Sequence, residues 1–166
     1  WAKSIGAKMI GTVSTDEKAS LAKENGCEFT INYKQNDVHS SVLKLTNNEG
    51  VNVVYDGVGK DTFDISLKCL KFRGLMVSFG QSSGMVNDVN LHSTFNPKSL
   101  YYTRPTLMHY IRNSEELTEC SNKLFSKIKN KEIKPNIFKK FKLSEASEAH
   151  ELIQSRNSVG SIILCP

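Results

Sequence analysis

Apolar runs of strand length alternate with amphipathic segments along most of the chain. WAKSIGAKMIGTVST (1–15) reads as the last turn of a helix, a glycine turn and then a strand, KMIGTV (8–13). Ser14 or Thr15 caps the next helix, whose first turn holds Asp16 and Glu17, where the dipole favours negative charge. Gly26 ends that helix as a C′ residue, and EFTINY (28–33) is the second strand. Asn36 or Asp37 opens a helix in which Val38, Val42 and Leu45 recur at i, i+4 and i+7, one buried face. After Gly50, the β-branched VNVVYD (51–56) predicts a central strand. KDTFDISLKCL (60–70) predicts a helix with Phe63, Leu67 and Leu70 on one side. Gly74 turns the chain into LMVSFG (75–80), a fourth strand; a polar loop is expected through 81–98. SLYYTR (99–104) predicts a fifth strand, stopped by Pro105. Asn113 and Glu116 form a capping pair for a helix running to about 130, with Leu117, Leu124 and Ile128 on its apolar side.

Strands and helices in this order predict right-handed βαβ crossovers and an α/β fold with a parallel sheet covered on both faces. The end of the chain departs from the series. NIFKKFKL (136–143), SEASEAHELIQSR (144–156) and SIILCP (161–166) predict strand, helix, strand, which sets a boundary near 131–135, at Pro135. Two regions are expected, 1–130 and a tail, 131–166.

Composition narrows the function classes. The 166 residues suffice for one domain with a core, and mean hydropathy is −0.36. No apolar run approaches the ~20 residues of a membrane-spanning helix. The first residues lack the basic-then-apolar block of a leader, so none is expected. Cysteines at 27, 69, 120 and 165 form no CxxC pair, and His39, His92, His109 and His150 have no ligand spacing. No metal site is therefore expected, and reduced thiols in a cytoplasm are. The net charge of +5 concentrates in KIKNKEIKPNIFKKFK (127–142). Without a zinc finger or RNA-recognition signature, this reads as a solvated lysine face rather than a nucleic-acid surface. No Gly-x-Ser-x-Gly elbow, Walker loop or glycine-rich dinucleotide loop is present.

Candidate chemistry lies at strand ends, because open parallel sheets bind ligands at the carboxyl ends of their strands. Four such ends stand out: GTVST, INYK, YDGVG and SFGQSSG. An NAD site uses an acid at the first of these tips for the ribose hydroxyls. Here Thr12, Val13, Ser14 and Thr15 occupy the tip, with Lys18 one turn into the helix. A lysine with hydroxyls suits a 2′-phosphate, with Asp16 and Glu17 read as helix-start acids pointing to solvent. Tyr33 could flank an adenine or hydrogen-bond a phosphate.

WAKSIGAKMIGTV, INY, VVYDGVGKDTF, LKFRGLMVSFGQSSG, SLYYTRPTL and AHELIQSRNSVGSIIL together resemble the zinc-free NADPH:quinone oxidoreductases of the medium-chain dehydrogenase/reductase superfamily. The match runs through nearly the whole chain in one order. Members are about twice as long, with a GroES-like catalytic domain before a Rossmann domain. The resemblance implies a truncated Rossmann fold: a doubly wound parallel sheet lacking its first strand and phosphate loop, followed by a strand-helix-strand tail that in the family returns to the catalytic domain. It implies NADPH as cofactor, with Lys18 and Tyr33 at the 2′-phosphate and Ser14 where the family often has glycine. Gly59 would line the crevice, Phe79, Gly80 and Gln81 the nicotinamide ribose, and Tyr102 and Thr103 the nicotinamide amide. Arg156 would reach the adenosine phosphates. No catalytic side chain and no zinc are implied. Expected partners are a quinone, a second copy of the chain through strand 99–104, and a separately encoded N-terminal half. Two functions are weighed: a hydride-transferring reductase, of low or no activity as this chain alone, and a non-catalytic dimerisation or weak nucleotide-binding module. A methyltransferase-like domain is disfavoured, because its adenosine site also needs an acid at the first tip.

Overall fold

The computed structural model describes residues 1–155 and 157–166. It divides into two compact units: Met9–Thr118, and Trp1–Lys8 with Glu119–Pro166.

The larger unit opens with two βα steps. Strand β1 (Ile10–Val13) leads into helix α1 (Asp16–Glu24), and β2 (Phe29–Asn32) pairs parallel with β1 from Ile10↔Phe29 to Val13↔Asn32. Thr15, not Ser14, is the cap: its hydroxyl accepts the Lys18 N–H at 3.2 Å. Asp37 likewise opens α2 (Val38–Leu45), accepting the Ser40 N–H at 2.7 Å. The next strands, β3 (Val51–Asp56), β4 (Leu70–Ser78) and β5 (Tyr101–Thr103), form a second parallel sheet in that order, with α3 (Phe63–Cys69) between β3 and β4. Strand β4 begins five residues earlier than the sequence pattern suggests. The register jumps from Val51↔Leu70 to Val53↔Leu75, so residues 71–74 bulge out, with Arg73 at φ 58°.

Two apolar clusters join these pieces. Phe63, Leu67, Leu70 and Met76 form one; Ile31, Val42 and Cys69 form the other. Val51 and Val54 pack against both, so α2 and α3 tie the two sheets together although no ladder does among the described residues.

That missing ladder corrects the position of β3. It is an edge strand rather than a central one, and β1 and β2 are both edges of the other, two-stranded sheet. Cover is uneven across this sheet: consecutive Met76 and Val77 of β4 are both buried, so its central strand is covered on both faces, while β3 is not. Tyr55 is 69% and Val53 39% exposed on alternate β3 positions, opposite the face that α3 buries. The expected loop at 81–98 is only partly a loop. Asn90 caps α4 (Leu91–Phe95), and Val86, Val89 and Phe95 reach the core. Their apolar side chains are spaced too widely among polar residues to show a period.

Helix α5 (Ser114–Lys129) contributes to both units, and its Leu117 and Leu124 stay exposed. At its start Asn113 accepts the Glu116 N–H, while the Glu116 carboxylate returns to the N–H of Arg112. In the smaller unit β6 (Ile137–Lys142), α6 (Ala146–Gln154) and β7 (Ser161–Cys165) make one parallel βαβ step around Phe141 and Ala149. The first residues form a 3-10 turn, Lys3–Ile5, closed by Gly6 at φ 83°.

Candidate functional site

The carboxyl ends of β3, β4 and β5 build a crevice, and Asp56 organises it. This last residue of β3 is 4% exposed. Its Oδ1 accepts the N–H groups of Val58 at 2.8 Å and Gly59 at 3.0 Å. The Thr62 hydroxyl lies 2.9 and 2.8 Å from its two oxygens, and the Ser66 hydroxyl donates to Oδ2 at 2.7 Å. Burial by itself would raise the Asp56 pKa. The Gly59 N–H, the Ser66 and Thr62 hydroxyls and the Val58 N–H outweigh it, holding the carboxyl below its ordinary value. The side chain is thus an anion wrapped in donors, and it curls YDGVG into a tight turn at the start of α3.

The loop after β4 locks onto this turn. Phe79 and Gly80 donate their N–H groups to the Asp56 carbonyl at 3.0 and 3.3 Å, and Ser83 donates its own to the Val58 carbonyl at 2.9 Å. Lys60 N–H returns to the Gly84 carbonyl at 3.2 Å. The approach leaves no room for side chains: a Cβ on Gly59, at φ 93°, would stand 2.7 Å from the Gly84 carbonyl oxygen.

Beside the locked loops lies an open cavity of about 120 Å³, smaller than the ~300–1,000 Å³ of most ligand clefts. It brings together Gly59, Gly80, Gln81 and Tyr102 of the expected residues. The Tyr102 ring meets Phe63 and Phe95 edge-on, at centroid distances of 6.3 and 5.8 Å. Phe79 does not line the cavity; its ring lies against Gly57. Thr103 sits in the ladder opposite Val77, outside the lining. Sequence reasoning passed over Arg104, which supplies the cavity's cation. Its guanidinium donates to Gln81 Oε1 at 2.6 Å and to the Ser78 carbonyl at 3.4 Å. Asp56 was visible in the quoted YDGVG, where Asp-Gly is a local turn signal and the Val58 N–H bond is the Asx turn it predicts; the Thr62 and Ser66 contacts are what the sequence does not mark.

Ser14, Lys18 and Tyr33 belong to the other sheet and do not reach this cavity. Ser14 and Tyr33 follow directly on β1 and β2, and Lys18 lies in the first turn of α1. The Tyr33 N–H donates to the Val13 carbonyl at 3.0 Å, which continues the ladder one residue and sets Tyr33 beside Ser14. Asp16 is not simply directed to solvent as the sequence suggested: its Oδ1 accepts from the Asn32 side-chain amide at 3.0 Å. Arg156 lies outside the described residues.

A family model described as zinc-binding dehydrogenase matches residues 1–127. The chain belongs to that family. Within it, the chain is 49% identical over 168 aligned residues to quinone oxidoreductase 1 of Escherichia coli, covering 100% of this chain and 51% of that one. A 2-haloacrylate reductase of a Burkholderia species is 42% identical, over 100% of this chain and 50% of its own length. The solved structure of the E. coli quinone oxidoreductase complexed with NADPH superposes with a TM-score of 0.95 at 50% identity, over 100% of this chain and 52% of that one. The chain therefore spans about half the length of the relatives it matches, and its parallel α/β architecture is their C-terminal, Rossmann-like domain. The family's name refers to zinc. Among the described residues, no three His, Cys, Asp or Glu side chains come together as a metal-binding set, so these donors do not fit a zinc ion. No helix is long and apolar enough to cross a membrane among the described residues.

Proposed function

We propose that this chain is the cofactor-binding half of an NADPH-dependent reductase that passes hydride to quinones or to activated enones. The observation that carries the reading is the pair of strand ends, with hydroxyl, lysine and tyrosine at β1–β2 and a peptide-lined cavity with one arginine at β3–β5. The relatives' names point the same way. Quinones and 2-haloacrylates share an electron-poor conjugated system, and one solved relative holds NADPH.

On this reading Ser14, Lys18 and Tyr33 hold the 2′-phosphate end of the cofactor. Gly59 lines the crevice, Phe79, Gly80 and Gln81 flank the nicotinamide ribose, and Tyr102 and Thr103 stand near the amide. Arg156 is assigned to the adenosine phosphates. Bound NADPH supplies the hydride. The chain's own contribution is orientation: a rigid crevice whose glycines admit the ligand close to the backbone, and whose Arg104 is already aligned by Gln81. We place the protein in the cytoplasm.

The open edges of β1 and β3 and the bare Val53 and Tyr55 favour a second reading, in which this chain alone binds nucleotide weakly and needs a further segment to catalyse. We also propose that two copies pair through β5, whose outer edge has no ladder partner among the described residues. Titrating the full chain with NADPH by fluorescence, then adding a quinone and following NADPH oxidation, separates the readings. Micromolar binding with oxidation supports the reductase. Binding without oxidation supports the module. Absence of saturable binding overturns both.

A further inference from the structure

Asn32 is 9% exposed, and both ends of its side-chain amide are committed. Its Oδ1 accepts the Lys34 N–H at 3.2 Å, which obliges the NH₂ group to face the other way, onto Asp16 Oδ1 at 3.0 Å. The Asn32 carbonyl accepts the N–H groups of Gln35 at 3.1 Å and Asn36 at 3.0 Å in the turn that follows. The residue is therefore anchored from three sides. Asp16, at the first position of α1, is fixed on its backbone side by the Thr15 cap. The pair ties the start of α1 to the end of β2, next in the chain to the residues assigned to the 2′-phosphate. Asp16 stands between Ser14 and Lys18 in the chain, and Asn32 directly precedes Tyr33.

An exposed carboxylate in that position bears on cofactor choice. It repels a 2′-phosphate, and an acid at such a tip is the group that accepts the ribose hydroxyls of a non-phosphorylated dinucleotide. We propose that Asn32 is a positioning residue for cofactor selectivity: by holding the Asp16 carboxylate against the end of β2, it keeps that charge out of the phosphate subsite and lets the site take a 2′-phosphorylated adenosine. This rests on the NADPH reading above and adds to it the device that protects the choice against the chain's own acid.

The test uses the full chain and two probes of the adenosine end alone, adenosine 2′,5′-bisphosphate and AMP, compared by calorimetric titration at fixed ionic strength. The wild type is expected to prefer the bisphosphate. Asn32→Ala frees the acid and lowers that preference about fivefold; Asp16→Asn removes the charge and raises it about threefold, on the Coulomb scale for partly solvated charges. The double variant regains the level of Asp16→Asn, a recovery that a merely structural role for Asn32 does not produce. An Asn32→Ala protein with unchanged preference overturns the proposal, as does a double variant as poor as Asn32→Ala. Should Asn32→Ala not fold, Asn32→Leu, which keeps the shape of the side chain and lacks the amide donor, takes its place, and an unchanged preference there is equally fatal. A wild type with no preference for the bisphosphate sinks the NADPH reading itself, and the inference with it.

Discussion

The Ser66 hydroxyl donates to the Asp56 carboxylate at 2.7 Å, joining α3 to the tip of β3. Through this contact a helix, a strand and a loop share one buried charge. Replacing Asp56 with Ala leaves the Gly59 and Val58 N–H groups and two hydroxyls without their acceptor. Losing a buried, charge-assisted set of this kind costs about 3 kcal/mol of stability. Asn at this position keeps one acceptor oxygen for the two N–H groups, so its loss is smaller. Urea denaturation of both variants ranks them; equal midpoints for wild type and Asp56→Ala contradict the role.

Stability falls in acid for the same reason. Hydrogen bonds hold the Asp56 carboxyl below its ordinary 3.8 despite burial. A folded pKa below the unfolded one means the contribution is present above the unfolded value and is lost as pH falls through the folded one. Denaturation curves collected from neutral pH downward therefore weaken below about pH 4. Asp56→Asn shows a shallower decline over that window. An identical acid limb in the variant assigns the decline to other carboxylates.

Gly80 carries the close approach of the two loops. A Cβ there would lie 2.3 Å from the Gly57 carbonyl oxygen and 2.7 Å from the Gly57 Cα, backbone atoms that cannot swing aside. Gly80→Ala is expected to cost about 2–4 kcal/mol and to abolish dinucleotide binding at the crevice. Ser82→Ala in the same loop changes little, since Ser82 enters the interlock through its N–H alone, at 3.4 Å. Thermal melts and NADPH titration of the two variants check the contrast.

Thiol reactivity reports whether the α2–α3 layer is formed. Cys69 is buried beside Ile31 and Val42, and burial pushes its pKa up to about 11. At pH 8 only about one molecule in a thousand then carries the reactive thiolate there. Cys120 is exposed. A short iodoacetamide pulse followed by mass spectrometry labels Cys120 first and Cys69 only after unfolding. Comparable rates in the native protein mean the core is open.

Pairing through β5 has a direct readout. Sedimentation equilibrium at micromolar concentration is expected to give twice the 18.6 kDa mass of the chain. A monomer at every concentration removes the dimer.

Much of this protein was legible along the chain itself. Alternation of period-two and period-3.6 runs named β1 to β5 and the intervening α1, α2 and α3 in order, because each pattern reports the burial of a face by its own neighbours. The caps were equally local: Asp37 and Asn113 act within three residues of themselves. Glycines at the strand ends pointed to the crevice, and the resemblance carried the family. Tertiary structure decided what depends on groups far apart in sequence. The ladder register places Asn32 against Asp16, sixteen positions away, and the β4 loop crosses the Asp56 turn at Gly80. No spacing rule marks Arg104 as the cavity's cation, because Gln81 and Ser78 reach it only once β4 and β5 lie side by side. Nor could β-branched composition show that β3 would stand at an edge with Tyr55 bare. Composition records what a strand can bury, while topology determines whether a neighbour is there to bury it.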